Sequence, residues 1–264
     1  MLTALGTTVQ FRPEVHKHQI HSGILDYYDQ WDGIDPRLAK HHGRLSVASQ
    51  TVANELVCMA TYTHILLEWN ASDKIVRDES VVMAGAMTKS FMVSVRSACD
   101  GVASALAYVA CEKPGRAPSN SLADLIRWAK KNPERLRPPI AKLLEQPLDW
   151  FWYLRSLRDH VVHGGAQSNI YSDRRQFYLW VHSPRLGWVT REPLLPLLAK
   201  QLNQLVDLGN RAAEVINPII EMPCDRIRSR AVEGIHVPAL HELARIAGDY
   251  ARPSPPDVLF VVTP

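Results

Sequence analysis

From Ser80 to Cys111 the chain places Val, Ala, Met, Phe and Leu around nearly the whole circumference of a helix, and no proline interrupts the run. A helix that is apolar on more than one face cannot be covered by a single neighbour, so it belongs in the middle of a bundle. Gly85, Ala86, Ala98, Gly101, Ala103 and Ala105 are small enough to let other elements approach it closely. The rest of the chain must therefore supply the helices that surround this one.

Those helices are legible on both sides. Leu45, Val52, Leu56, Met59, Ala60, Ile65 and Leu66 recur at helical offsets from Arg44 to Trp69, which predicts a helix of roughly six or seven turns. The polar stretch Asn70 to Glu79 separates it from the apolar helix, which Ser80 can cap. Glu112 to Asn120 holds two prolines and a glycine and reads as a connector. Ser121 then opens a short helix through Trp128, and Pro133 opens another through Leu144. Pro147 takes a first-turn position ahead of Leu148, Trp150, Phe151, Trp152, Leu154, Leu157, Val161 and Val162. Gly164-Gly165 supply the left-handed conformations that end a helix, and the polar residues through Arg175 read as a loop. The aromatic and β-branched runs Gln176 to His182 and Gly187 to Arg191 predict a small β-hairpin. From Pro193 or Pro196, the residues Leu194, Leu198, Leu202, Leu205, Leu208, Ala212 and Val215 keep helical spacing up to Pro218.

The expected fold is all-α: an up-and-down four-helix bundle with extra short helices and a small inserted hairpin. Residues 1–43 read as an irregular leader, with a short extended stretch at Thr7 to Phe11 and punctuation at Trp31 to Pro36. Residues 44–217 form the bundle, with the hairpin at about 176–191. Residues 218–264 form a C-terminal extension with one short helix, Pro238 to Ala247, and a proline-rich end.

Hydrophobic residues at 46% and charged residues at 22% of the 264 suit a globular chain and exclude a disordered one. The formal charge of +3 is too small to imply nucleic acid by itself, so any attraction to RNA must come from local clustering. No basic leader followed by an apolar run opens the chain, and no stretch of about 18 apolar residues occurs, so neither secretion nor a membrane partner is expected. Cys58, Cys99, Cys111 and Cys224 form no Cys-x-x-Cys pair, and the first three lie in apolar helical stretches, which predicts buried thiols in a reducing cytoplasm.

The chemistry concentrates in Arg158-Asp159-His160-Val161-Val162-His163-Gly164. An arginine followed by a polar residue, with a histidine five positions after it at the end of a helix, resembles the Arg-x(4–6)-His signature of the HEPN superfamily. The likeness runs from about Arg44 to Asn217 and implies a four-helix bundle with the motif near the end of the third long helix. Many HEPN proteins are RNA-cleaving toxins or effectors of antiviral defence, and they usually dimerise with two motif copies facing one another. The resemblance thus implies Arg158 and His163 as the catalytic pair, RNA and a second copy of the chain as partners, and no cofactor. A subset pairs with an antitoxin that modifies a tyrosine two positions after the motif histidine. Here that position is Gly165, which argues against this control and leaves an antitoxin or regulatory protein unidentified.

The residue types suit metal-independent RNA cleavage independently of the resemblance. A 2′-hydroxyl must lose a proton, the transition-state phosphate must be stabilised, and the 5′-oxygen must gain a proton. An imidazole with an ordinary pKa of about 6.5 exchanges protons near neutrality, which gives His163 the acid/base role. The planar, permanently charged guanidinium of Arg158 matches two phosphate oxygens. Asp159 can orient Arg158 or a histidine, and His160 can supply a second proton-transfer group or line the cleft. Arg155, Arg174 and Arg175 would form a basic rim for substrate. The bland alternatives are solvated surface charges at Arg158 and Asp159, a helix-capping His163, and Trp150, Trp152 and Tyr153 as core packing rather than base-stacking platforms. His160 and His163 at i, i+3 have metal-ligand spacing without a third ligand close in sequence. Arg96 and Asp100, at i, i+4 on the apolar helix, either brace each other or turn Arg96 toward the cleft.

One geometric condition follows. Five positions on a helix turn by about 140°, so Arg158 and His163 share no face of a continuous helix. Either the helix ends near Val162 and His163 swings back, or the pair is completed across a two-fold axis. A non-catalytic HEPN-like bundle that binds a nucleotide, RNA or a protein partner is the competing reading.

Overall fold

The computed structural model describes residues 19–21, 23–27, 36–70, 78–163, 168–172, 176–183, 188–222, 231–233 and 235–250. The extended stretch at Thr7 to Phe11, the Gly164-Gly165 pair, Arg174, Arg175, Cys224 and the proline-rich end lie outside them. Seven α-helices occur among the described residues: α1 (Pro36–Asn70), α2 (Asp78–Val109), α3 (Leu122–Lys131), α4 (Pro138–Glu145), α5 (Asp149–His163), α6 (Leu194–Ile219) and α7 (Val237–Tyr250). None is long and apolar enough to cross a membrane.

Helix α2 is the centre, packing against α1, α3, α5 and α6. It runs antiparallel to α1, because Tyr108 near its end meets His41 near the start of α1, while Gly101 meets Ala48, Thr51 and Val52. A Cβ at Gly101 would stand 3.0 Å from Val52 Cγ2 and 3.1 Å from the Ala48 carbonyl oxygen, so glycine permits the close approach. Phe91, Met92, Val95, Cys99, Val102 and Leu106 are buried along α2. Each large apolar side chain among them contributes about 2 kcal/mol by leaving water. The helix is nevertheless not covered all round: Val82, Met83 and Val93 are exposed, at 71%, 41% and 45%.

The four helices that close on one another are α1, α2, α6 and α7, each packing on the next and α7 returning to α1. This differs from the expected set. The motif helix α5 packs on α2 and α6 from outside the ring, and the short helix of the supposed extension, α7, takes the fourth place. Leu240 and Leu243 of α7 join the same core as Ile24, Leu25 and Tyr27 from a short 3-10 turn, Gly23–Tyr27. The Tyr27 hydroxyl donates to Asn217 Oδ1 at the end of α6. Strand β1 (Gln19–His21) pairs antiparallel with β5 (Ala231–Glu233). Segments expected to flank the bundle therefore complete it.

Other expectations shift for local reasons. Helix α1 begins at Pro36 rather than Arg44, because proline at a first helical position lacks only an N–H that would be unpaired anyway. The single helix expected from Pro133 splits into a 3-10 turn, Pro133–Arg135, and α4. Arg137, with ψ of 135°, precedes Pro138 and Pro139, and a residue before proline avoids the helical region. Pro218 sits inside the last turn of α6 instead of ending it earlier. Cys99 and Cys111 are buried as expected, but Cys58 is exposed on α1.

The expected hairpin is a three-stranded antiparallel sheet of β2 (Ser168–Ser172), β3 (Phe177–Ser183) and β4 (Trp188–Pro193), in that order. Strand β2 falls where a loop was expected, because a five-residue strand pairs one apolar residue inward and shows little periodicity. Ile170 packs on the core opposite Leu179, while Tyr171 stacks on Tyr178 with ring centroids 5.2 Å apart. Phe177, Leu179 and Val181 face the bundle and are buried.

Candidate active site

Phe151, Leu154 and Leu157 form the buried stripe of α5 and press it onto α2. Trp150, Trp152 and Tyr153 are half-buried and pack against the core, which favours their packing role. Arg127 and Arg155 lie over the Trp152 ring, 5.7 and 5.9 Å from its centroid, and Tyr153 donates to Glu192 Oε1 on β4 at 2.6 Å. Arg155 thus rests on an aromatic face beside the motif rather than reaching out alone.

Arg158 stands at the edge of this stripe, half-buried. Its Nη1 lies 2.8 Å from Asp159 Oδ1, and its buried Nε has no hydrogen-bond partner among the described residues. Across the helix interface its charge acts on Asp100 of α2. Asp100 is the hub. Its Oδ1 accepts from Arg96 at 2.5 Å and from the Leu122 backbone N–H at 2.8 Å, capping α3 from another helix. Arg96 also donates to Ser121 Oγ at 2.9 Å and places its guanidinium 4.9 Å from the Phe151 ring centroid. Burial pushes the Asp100 carboxyl above its ordinary range, against the opposing pull of the Leu122 N–H, Arg96 and Arg158. Arg96 and Asp100 therefore brace each other, and Arg96, only 8% exposed, does not face an open cleft.

The two histidines occupy the other side. His160 Nδ1 donates to the Ser156 carbonyl at 2.8 Å, which leaves Nε2 as the acceptor of a neutral ring. His163 is exposed and is the last residue of α5. Since α5 stays helical through His163, the expected early end at Val162 does not occur. Arg158 and His163 leave the helix about 140° apart and about 7.5 Å apart along its axis. One chain thus sets Arg158 against Asp159 and presents His163 to solvent, on faces of α5 about 140° apart. Among the described residues, no group of three or more His, Cys, Asp and Glu side chains gathers with metal-binding geometry.

Asp100 was legible in the sequence only as a partner for Arg96, and its reach to Arg158 was not. A second cationic cluster, Lys113, Arg116, Arg135 and Arg137, escapes sequence reasoning because its residues lie in the proline-rich connectors around α3. Its signal was four basic residues within segments that carry no apolar periodicity. No family model, no curated protein and no solved structure matches the chain.

Proposed function

We propose that the chain is a metal-independent endoribonuclease of HEPN type, acting in the cytoplasm as a toxin or antiviral-defence effector through a homodimeric, composite active site. The observation that carries this reading is the motif's placement. His163 is presented to solvent at the last residue of α5, and Arg158 lies one and a half turns earlier on another face. An acid/base imidazole and a phosphate-binding guanidinium so disposed meet when a second α5 approaches along a two-fold axis. His163 then exchanges protons with the 2′-hydroxyl or the 5′-oxygen, Arg158 holds the phosphate, and Asp159 orients the guanidinium. The products are a 2′,3′-cyclic phosphate and a 5′-hydroxyl.

The experiment is an RNA cleavage assay in excess chelator with wild type, Arg158→Ala and His163→Ala. Both substitutions are expected to abolish cleavage while leaving the fold intact. Equal cleavage by all three proteins would overturn the proposal.

One observation favours the non-catalytic reading, a HEPN-like bundle that binds a nucleotide, RNA or a protein partner. Arg158 is half-buried, paired with Asp159, and its charge bears on Asp100 of α2, as that of a residue holding α5 to α2 would. On that reading Arg158→Ala lowers stability, and neither motif variant changes a cleavage rate.

A further inference from the structure

Beyond the end of α2, a cleft of about 850 Å³ opens between the residues that follow this helix, the connection from α3 to α4, and the last turns of α6. Lys113, Arg116, Arg135 and Arg137 line it. We propose that this cleft binds a nucleoside polyphosphate, with the phosphates on the arginines and the base against the apolar wall.

Three observations support the assignment. The cations are not committed elsewhere. Arg135 makes only a 3.5 Å pair with its exposed neighbour Glu134, while Lys113, Arg116 and Arg137 have no carboxylate at ion-pair distance among the described residues. The Arg137 Nε is buried and has no hydrogen-bond partner among the described residues. The arginines are also not needed to cap the helix ends. The Ala110 carbonyl accepts from the Arg137 backbone N–H at 2.8 Å, and those of Ile216 and Asn217 accept from the backbone N–H groups of Ile220 and Met222.

The three arginines also act on one residue of the lining. Burial pushes the Cys111 thiol up, and the charges of Arg116, Arg135 and Arg137 all pull it down, so three cations bear on one point of the wall. Guanidiniums lining one cleft, with Arg135 alone holding a carboxylate partner among the described residues, suit the several oxygens of a polyphosphate. Leu136, Pro138, Val215 and Ile219 line the same cleft and give an apolar surface for a planar base, and Glu112 and Glu214 offer acceptors for ribose hydroxyls. The volume lies within the range of small-molecule sites.

The site is separate from the α5 motif, so the proposal stands or falls independently of the ribonuclease reading. The test is fluorescence titration of the full chain with a methylanthraniloyl derivative of ATP, competed by ATP, pyrophosphate and an RNA ten-mer. Saturable binding is expected, displaced by ATP, less effectively by pyrophosphate and poorly by the ten-mer. Arg116→Ala and Arg137→Ala are each expected to weaken binding about tenfold or more, while Arg127→Ala and His163→Ala leave it unchanged. Thermal melting checks each variant. If Arg137→Ala melts early, the exposed Arg116 decides the matter. Absence of saturable binding, affinity indifferent to Arg116→Ala, or displacement by the ten-mer as effective as by ATP would overturn the assignment.

Discussion

At the junction of α2, α3 and α5, Arg96 and Arg158 are met by Asp100, Asp159 and Ser121, whereas around the cleft beyond α2 three cations face no carboxylate at ion-pair distance among the described residues. The junction lies between packed helices, where a charge is costly unless paired, so every cation there has become part of the architecture. The cleft is open to water, which solvates its cations until a ligand replaces that water. Similar residue types thus fasten one region and leave the other ready to bind. The motif arginine belongs to the first region and the motif histidine to neither, since His163 projects from the end of α5.

Substitutions should separate the two regions. Arg96→Ala is expected to cost about 3 kcal/mol, because it strands Asp100 without its closest partner between helices. Urea unfolding measures this, and a loss below 1 kcal/mol would mean that the junction is no more than a surface pair. Arg158→Ala should cost less, about 1 kcal/mol, since its partner Asp159 is 46% exposed. Equal losses for Arg96→Ala and Arg158→Ala would show that the junction acts as one unit instead of a hub with a peripheral member.

A pH titration offers a smaller effect at the base of α1 and α2. Burial, aided by the Lys40 charge, lowers the His41 pKa, and its Nδ1 lies 3.0 Å from the Tyr108 hydroxyl. The folded state therefore binds the proton less readily than the unfolded state. Stability should be full above about pH 6.5 and should fall as pH drops below it toward the lowered folded value. His41→Gln should flatten that part of the profile, and an unchanged slope would assign the effect to another group. The smallest change is expected at the cleft, where Arg116→Ala should leave stability within about 0.5 kcal/mol of wild type. A larger loss would make the cleft structural, like the junction.

The long helices were legible because buried faces impose a 3.6-residue period over many turns, as in Leu45 to Leu66 and Leu194 to Val215. Strand β2 was not, since Ile170 is its single inward apolar residue and a five-residue strand yields no period. The roles of β1, β5 and α7 depend on pairing across the length of the chain, from Gln19–His21 to Ala231–Glu233, which no local window contains. The candidate site shows the same division. The helix bearing Arg158 and His163 was readable, and so was the angle that separates them. The bearing of the Arg158 charge on Asp100 was not, because it depends on how α5 seats against α2.

That angle leaves the ribonuclease reading dependent on a second chain, and subunit mixing tests the dependence directly. Arg158→Ala and His163→Ala proteins, each inactive alone, are unfolded together, refolded and assayed on RNA in excess chelator. If each site takes its arginine from one chain and its histidine from the other, half the dimers are mixed and each keeps one intact site, so activity should return to roughly a quarter of wild type. A mixture as inactive as either variant alone, when the wild type cleaves, would contradict the composite site.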